Sequence, residues 1–204
     1  NAAGALTDGD KNVFIGRDVA NTLTNQNENV AIGYRALYTQ DCSNGSQSYT
    51  VAVGMHAGYL LTNDQPYATL VGAYAGDGIT TGQQNTCIGA FADTNSGADQ
   101  NCTVIGYGAT GHGSNIVVIG SGSVTAWHPG DDNGVDLGST SYSFKDSYVQ
   151  GRSNAGNYKV DALNTAPSSA SDTGTVGEIR YTADYIYICV DTDTWKRAAI
   201  STWS

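Results

Sequence analysis

The sequence predicts an all-β fold: a parallel β-solenoid over most of the chain, then a small antiparallel β domain. Three observations point there. A short block, clearest as "NVAIGYRAL" at 29–37, returns seven times at steps of 14 to 21 residues. Such a period is too short for helical-pair repeats and suits one coil of a solenoid. The composition is turn- and strand-forming, with 26 Gly, 13 Tyr and only two Glu, Glu28 and Glu178. Finally, the last thirty residues read as short strands separated by turn residues.

Residues 1–10 form a lead-in, and the repeats occupy 11–124 as seven coils. The copies are "NVFIGRDVA" at 12–20, the block at 29–37, "TVAVGMHAG" at 50–58, "ATLVGAYAG" at 68–76, "NTCIGAFAD" at 85–93, "CTVIGYGAT" at 102–110 and a degenerate "IVVIGSGSV" at 116–124. They align on Gly16, Gly33, Gly54, Gly72, Gly89, Gly106 and Gly120. Just before the glycine stands Ile or Val (Ile15, Ile32, Val53, Val71, Ile88, Ile105, Ile119), and three before it Val or Thr (Val13, Val30, Val51, Thr69, Thr86, Thr103, Val117). Residues two apart on a strand share a face. These flanking columns are therefore expected to form the roll core.

The column between them, Phe14, Ala31, Ala52, Leu70, Cys87, Val104 and Val118, is then expected to face outward. It is apolar, as in strands buried on both faces. A coil this small has one interior, so the outer column is expected to pack against sister chains in a symmetric homo-oligomer. The glycine suits a turn at positive φ, and Asn12, Asn29 and Asn85 before the strand suit a turn as well. At about 4.8 Å per stacked strand, the six steps make a rod of about 30 Å.

Beyond the roll, 125–151 reads as a connector, 152–175 as a linker whose 164–175 portion is rich in Ser, Thr, Ala and Gly, and 176–204 as a β-meander. Its strands are expected at 177–182, at 185–190 and from Trp195 onward.

The unit Asn-Val-Ala-Ile-Gly-x-x-Ala, as at Asn29–Ala36, resembles the head repeat of trimeric autotransporter adhesins and equally the related repeats of trimeric phage tail fibres. The resemblance covers about 11–124. It implies a left-handed parallel β-roll in each chain, with three chains intertwined around an axis. The stretch "VDLGSTSYSFKDSYVQG" at 135–151 resembles a connector near the ends of phage fibre proteins. The stretch at 166–203, with Gly174, Gly177, Ile179, Arg180, the run 185–190 and Trp195-Lys196-Arg197, looks like a small terminal domain of phage and prophage fibres. The resemblance thus implies a virion component, a trimeric tail fibre assembled in the host cytoplasm and extracellular when mature. Its partners would be itself, other tail or fibre proteins and a host-surface glycan or receptor. A bacterial adhesin head and a polysaccharide-degrading tailspike are the alternatives.

The net charge of −10 argues against nucleic acid and anionic membrane as partners. No apolar run approaches the length of a membrane span. No cofactor, metal or catalytic site is expected. "GYGATG" at 106–111 is a literal G-x-G-x-x-G, but a strand-like repeat follows where a dinucleotide site needs a helix. His56, His112 and His128 form no metal-binding pair, and "GDDNG" at 130–134 lacks the length and closing Glu of a calcium loop. A depolymerase needs two positioned carboxylates, and the acids fall mostly in turn-like contexts, so no enzyme is expected. Cys42, Cys87, Cys102 and Cys189 read as free thiols, with a Cys87–Cys102 bridge as the sharper alternative. For glycan contact the candidates are Trp127 and His128, outside any repeat, and Tyr59, Tyr67 and Tyr74 on or near the loops between coils.

Overall fold

A computed structural model describes residues 2–40, 48–63, 66–128, 130, 137–139, 141–144, 148–149 and 165–202. The chain forms two compact units, residues 1–135 and 136–204. Cys42, most of 130–134, about half of the connector, residues 152–164 and Trp203 lie outside the described residues.

The first unit is a parallel β-solenoid. Its strands are β1 (Val13–Ile15), β2 (Val30–Ile32), β3 (Val51–Val53), β4 (Thr69–Val71), β5 (Thr86–Ile88), β6 (Thr103–Ile105) and β7 (Val117–Ile119). They stack in chain order in one parallel sheet. The register follows the repeat, with Phe14 opposite Ala31, then Ala52, Leu70, Cys87, Val104 and Val118. Residues 3–10 lie on the first coil in the same register, through Ala3 N–H to Val19 O (2.8 Å) and Thr7 N–H to Thr24 O (2.7 Å).

The burial of the strands reverses the expected faces. Ala31, Ala52, Leu70, Cys87 and Val104, expected as the trimer interface, are fully buried inside the coil, with Phe14 packed on that core. The columns expected as roll core point out: Val13, Ile15, Val51, Ile88, Val117 and Ile119 are exposed, and Val30, Ile32, Val53, Val71 and Ile105 are half-buried. The reason is geometric. A three-residue strand between two corners directs its central side chain inward and both flanks outward. The narrow interior must also hold side chains from the other walls: Val19, Ala36, Ala57, Ala75, Ala92 and Ala109 three places after each glycine, and Leu23, Leu61 and Ile79 seven places after. Ala in the strand leaves room for them. Where the strand carries Leu70, the opposite wall carries Gly58 and Gly76, and a Cβ on either would meet a Leu70 methyl at 2.8 or 2.6 Å.

Corners rather than strands carry most of the sequence signal. The repeat glycines stack on one another at positive φ (127–143° from Gly16 to Gly106). A Cβ on Gly54 would lie 2.2 Å from Gly72 O, so both conformation and space require glycine. The asparagines leading the clearest copies stitch coils together. Asn12 Oδ1 accepts from Asn29 N–H (2.9 Å), Asn29 Oδ1 from Thr50 N–H (3.1 Å) and from the Ser48 hydroxyl, and Asn85 Oδ1 from Cys102 N–H (3.0 Å). Asn29 and Asn85 are buried, so these amides satisfy backbone donors that no strand reaches. Cys87, Cys102 and Cys189 are free buried thiols, and burial pushes the Cys87 thiol up to about 12. Two interior amides, Gln26 and Gln40, have no side-chain partner.

The second unit contains an antiparallel sheet of β8 (Ile179–Tyr181), β9 (Tyr185–Asp191) and β10 (Thr194–Ala199), ordered β10-β9-β8. Tyr187, Cys189 and Trp195 form its small core. Residues 165–175, expected as linker, belong to this unit. Trp195 donates its indole N–H to Asp172 O (2.9 Å) and its backbone N–H to Ala170 O (2.8 Å). A Cβ on Gly174 would lie 2.5 Å from the indole, so the small residues that resemble a linker are what let the segment lie against the ring.

Candidate functional surface

An aromatic stripe runs along one corner of the solenoid. The second residue after each of the first six repeat glycines, Asp18, Arg35, His56, Tyr74, Phe91 and Gly108, sits in the left-handed region at φ 54–60°. This conformation costs a non-glycine residue about 1–2 kcal/mol, and it turns each side chain onto its counterpart in the next coil. His56 meets Tyr74 edge-on at 5.0 Å, Tyr74 stacks on Phe91 at 5.1 Å and 6°, and Phe91 meets Tyr107 edge-on at 5.9 Å. Tyr34 and Tyr59 join at His56, 5.6 and 4.8 Å away, and Tyr59 stacks on Tyr38 at 5.2 Å. At the end nearer the N-terminus, the guanidiniums of Arg17 and Arg35 lie over Tyr34 (5.2 and 5.0 Å), and Arg35 also lies over Tyr38 (5.1 Å).

Of the sequence candidates, Tyr59 and Tyr74 belong to this stripe. Tyr67 lies in a separate column, stacked on Tyr49 at 5.7 Å. Both hold positive φ at the corner before the strand, as do Lys11, Glu28, Gln84, Asn101 and Asn115. Trp127 is 78% exposed and His128 is exposed; among the described residues no ring contact ties either to the stripe.

Stacking within the stripe has a cost for binding. A ring lying flat on its neighbour cannot offer that face to a sugar. The most exposed rings are where the column ends or turns edge-on, Phe91 at 50% and Tyr107 at 74%. Neither residue is among the sequence candidates. The signal lay in their places, one and two after the repeat glycine.

Two carboxyl groups lie beside the stripe. Burial raises Asp77 above the usual carboxylate range. Asp93 is pushed up to about 6, first by burial and further by the charge of Asp77. Both Asp93 oxygens are engaged, Oδ2 by Gly78 N–H (3.0 Å) and Oδ1 by Thr94 N–H (2.8 Å). The sequence reading missed this pair because the two acids meet only through the stacking of coils. Among the described residues no group of three His, Cys, Asp or Glu could hold a metal, and no helix is long and apolar enough to cross a membrane. "GYGATG" turns a corner and continues into β7, with no helix N-terminus to receive a pyrophosphate.

No family model matches the chain, and no solved structure matches it. Over 39 residues, 19% of this chain, the sequence is 46% identical to a capsule depolymerase, K30/K69-specific, of Klebsiella phage K64-1. The matched part covers 5% of that protein, so the chain spans a small fraction of the relative's length.

Proposed function

We propose that this chain is a homotrimeric segment of a bacteriophage tail fibre that attaches the virion to host-surface glycan. The observation that carries the assembly is the outward Val/Ile column on the solenoid strands, beside a second outward column of Val and Thr, with Ile15 57% and Ile119 51% exposed. A continuous apolar strip along a rod is a surface for another copy of the rod, since each copy offers the same strip in the same register. The short likeness to a phage capsule depolymerase supports the setting on a phage particle. The exposed rings of Tyr107, Phe91 and Trp127 support the glycan. Three such surfaces per fibre give avidity from weak individual sites.

Light scattering behind size-exclusion chromatography tests the assembly. A mass three times 21.2 kDa is expected, and a folded monomer would overturn it. Binding of the full chain to purified host polysaccharide tests the adhesive role.

The relative's name and the Asp77–Asp93 pair favour a second reading, a polysaccharide-degrading tailspike. Adhesion is preferred because both Asp93 oxygens are held by backbone N–H groups, an arrangement suited to joining coils rather than to giving up a proton. Release of reducing sugar from host capsule, abolished by Asp93→Asn, would reverse that preference.

A further inference from the structure

We propose that Arg17 and Arg35, held against Tyr34 and Tyr38, form a subsite for a carboxylate-bearing sugar, so that the polysaccharide taken by the stripe is acidic. The inference rests on the glycan reading above and names the class of glycan. Residues 1–135 contain only three Lys or Arg, namely Lys11, Arg17 and Arg35. Lys11 is engaged elsewhere, by Glu28 at 3.2 Å in the column of Tyr49. The other two stand on successive coils at one end of the aromatic stripe. In a chain of net charge −10, such a pair is an anion-binding feature in an otherwise repelling field.

The local geometry supports the assignment. Both guanidiniums lie over tyrosine rings, which holds the two cations at one place on the surface. A guanidinium edge matches a carboxylate in a forked, charge-assisted pair. The carboxylate at hand is Asp18, 3.2 Å from Arg17 Nε and 4.0 Å from Arg35 Nε. The longer contact is an ion pair rather than a hydrogen bond, and the buried Arg35 Nε makes no hydrogen bond. Two guanidiniums thus face one carboxylate. The Arg17 side chain is 74% exposed and that of Arg35 34%, so part of each is open to a ligand.

Direction follows from the layout. From Tyr34 to Tyr107 the stripe climbs four coils at about 4.8 Å each, a rise similar in length to one pyranose per coil. A linear chain would seat its acidic residue at the arginines and a neutral residue on the exposed rings of Phe91 and Tyr107.

The test uses the full chain against immobilised acidic bacterial polysaccharides, each printed in native and carboxyl-reduced form. Arg17→Gln, Arg35→Gln and, as a control of equal charge change, Lys11→Gln are compared after each is shown to melt as a folded protein. The expected result is binding to a native form that is lost on carboxyl reduction, falls with added salt, and weakens about tenfold in each arginine variant but not in Lys11→Gln. Equal binding to native and reduced forms would overturn the acidic subsite while leaving glycan attachment standing. Equal weakening in Lys11→Gln would also overturn it, by showing a net-charge effect. Binding to neither form of any polysaccharide would remove the glycan reading and this inference together.

Discussion

Gly54 shows how a single position is fixed by its neighbours one coil away. An added Cβ meets Gly72 O at 2.2 Å, and φ of 143° lies where L side chains are strained. Gly54→Ala is expected to cost about 2–4 kcal/mol, read as a drop in thermal midpoint, because backbone rather than a flexible side chain must move. Asp93 sets a pH dependence. Its folded pKa, raised to about 6, exceeds the unfolded value near 3.9. The folded state therefore binds the proton more tightly, and the stabilisation is fully present below about pH 4 and lost as pH rises through 6. The melting temperature is expected to fall between pH 4 and 6.5 from this group, and Asp93→Asn to flatten that part of the profile. A profile unchanged by the substitution would count against the assignment.

At the scale of the element, a coil is held by complementary walls and by side-chain amides at its corners. Leu70 is fully buried opposite Gly58 and Gly76, so Leu70→Ala opens a cavity beside two residues that have no side chain to fill it. The expected cost is about 3–5 kcal/mol in denaturant unfolding. Asn29→Ala removes the acceptor of both the Thr50 N–H and the Ser48 hydroxyl inside the coil. A loss of about 2–3 kcal/mol is expected, larger than for a surface hydrogen bond because the donors stay buried and unpaired.

For the whole molecule, the reversed strand faces make a sharp contrast. Ala52→Asp places a charge in the coil interior, whereas Ile88→Asp places one on the outward strip. The first is expected to abolish folding, seen as loss of β-type circular dichroism. The second is expected to leave the solenoid folded and lower the solution mass towards 21.2 kDa. Were Ile88→Asp to unfold the chain and Ala52→Asp merely to dissociate it, the burial described for the strands would be wrong.

The repeat, its glycine and the antiparallel terminal sheet were legible in the residues, because strand alternation and glycine conformation act within one coil or one hairpin. The sequence could also show that the strand is apolar on both sides, which is why a partner surface was expected at all. Which side is the interior was not legible: β-branched Val and Ile read as core by hydrophobicity, and only the coil's width, set by the residues of its other walls, gives that place to Ala, Leu and Cys. The stitching asparagines, the Asp77–Asp93 pair and the ring-on-ring steps from one coil to the next along the stripe join residues 16 to 22 positions apart. They meet because each coil lies on the last, and that stacking is a property of the tertiary structure alone.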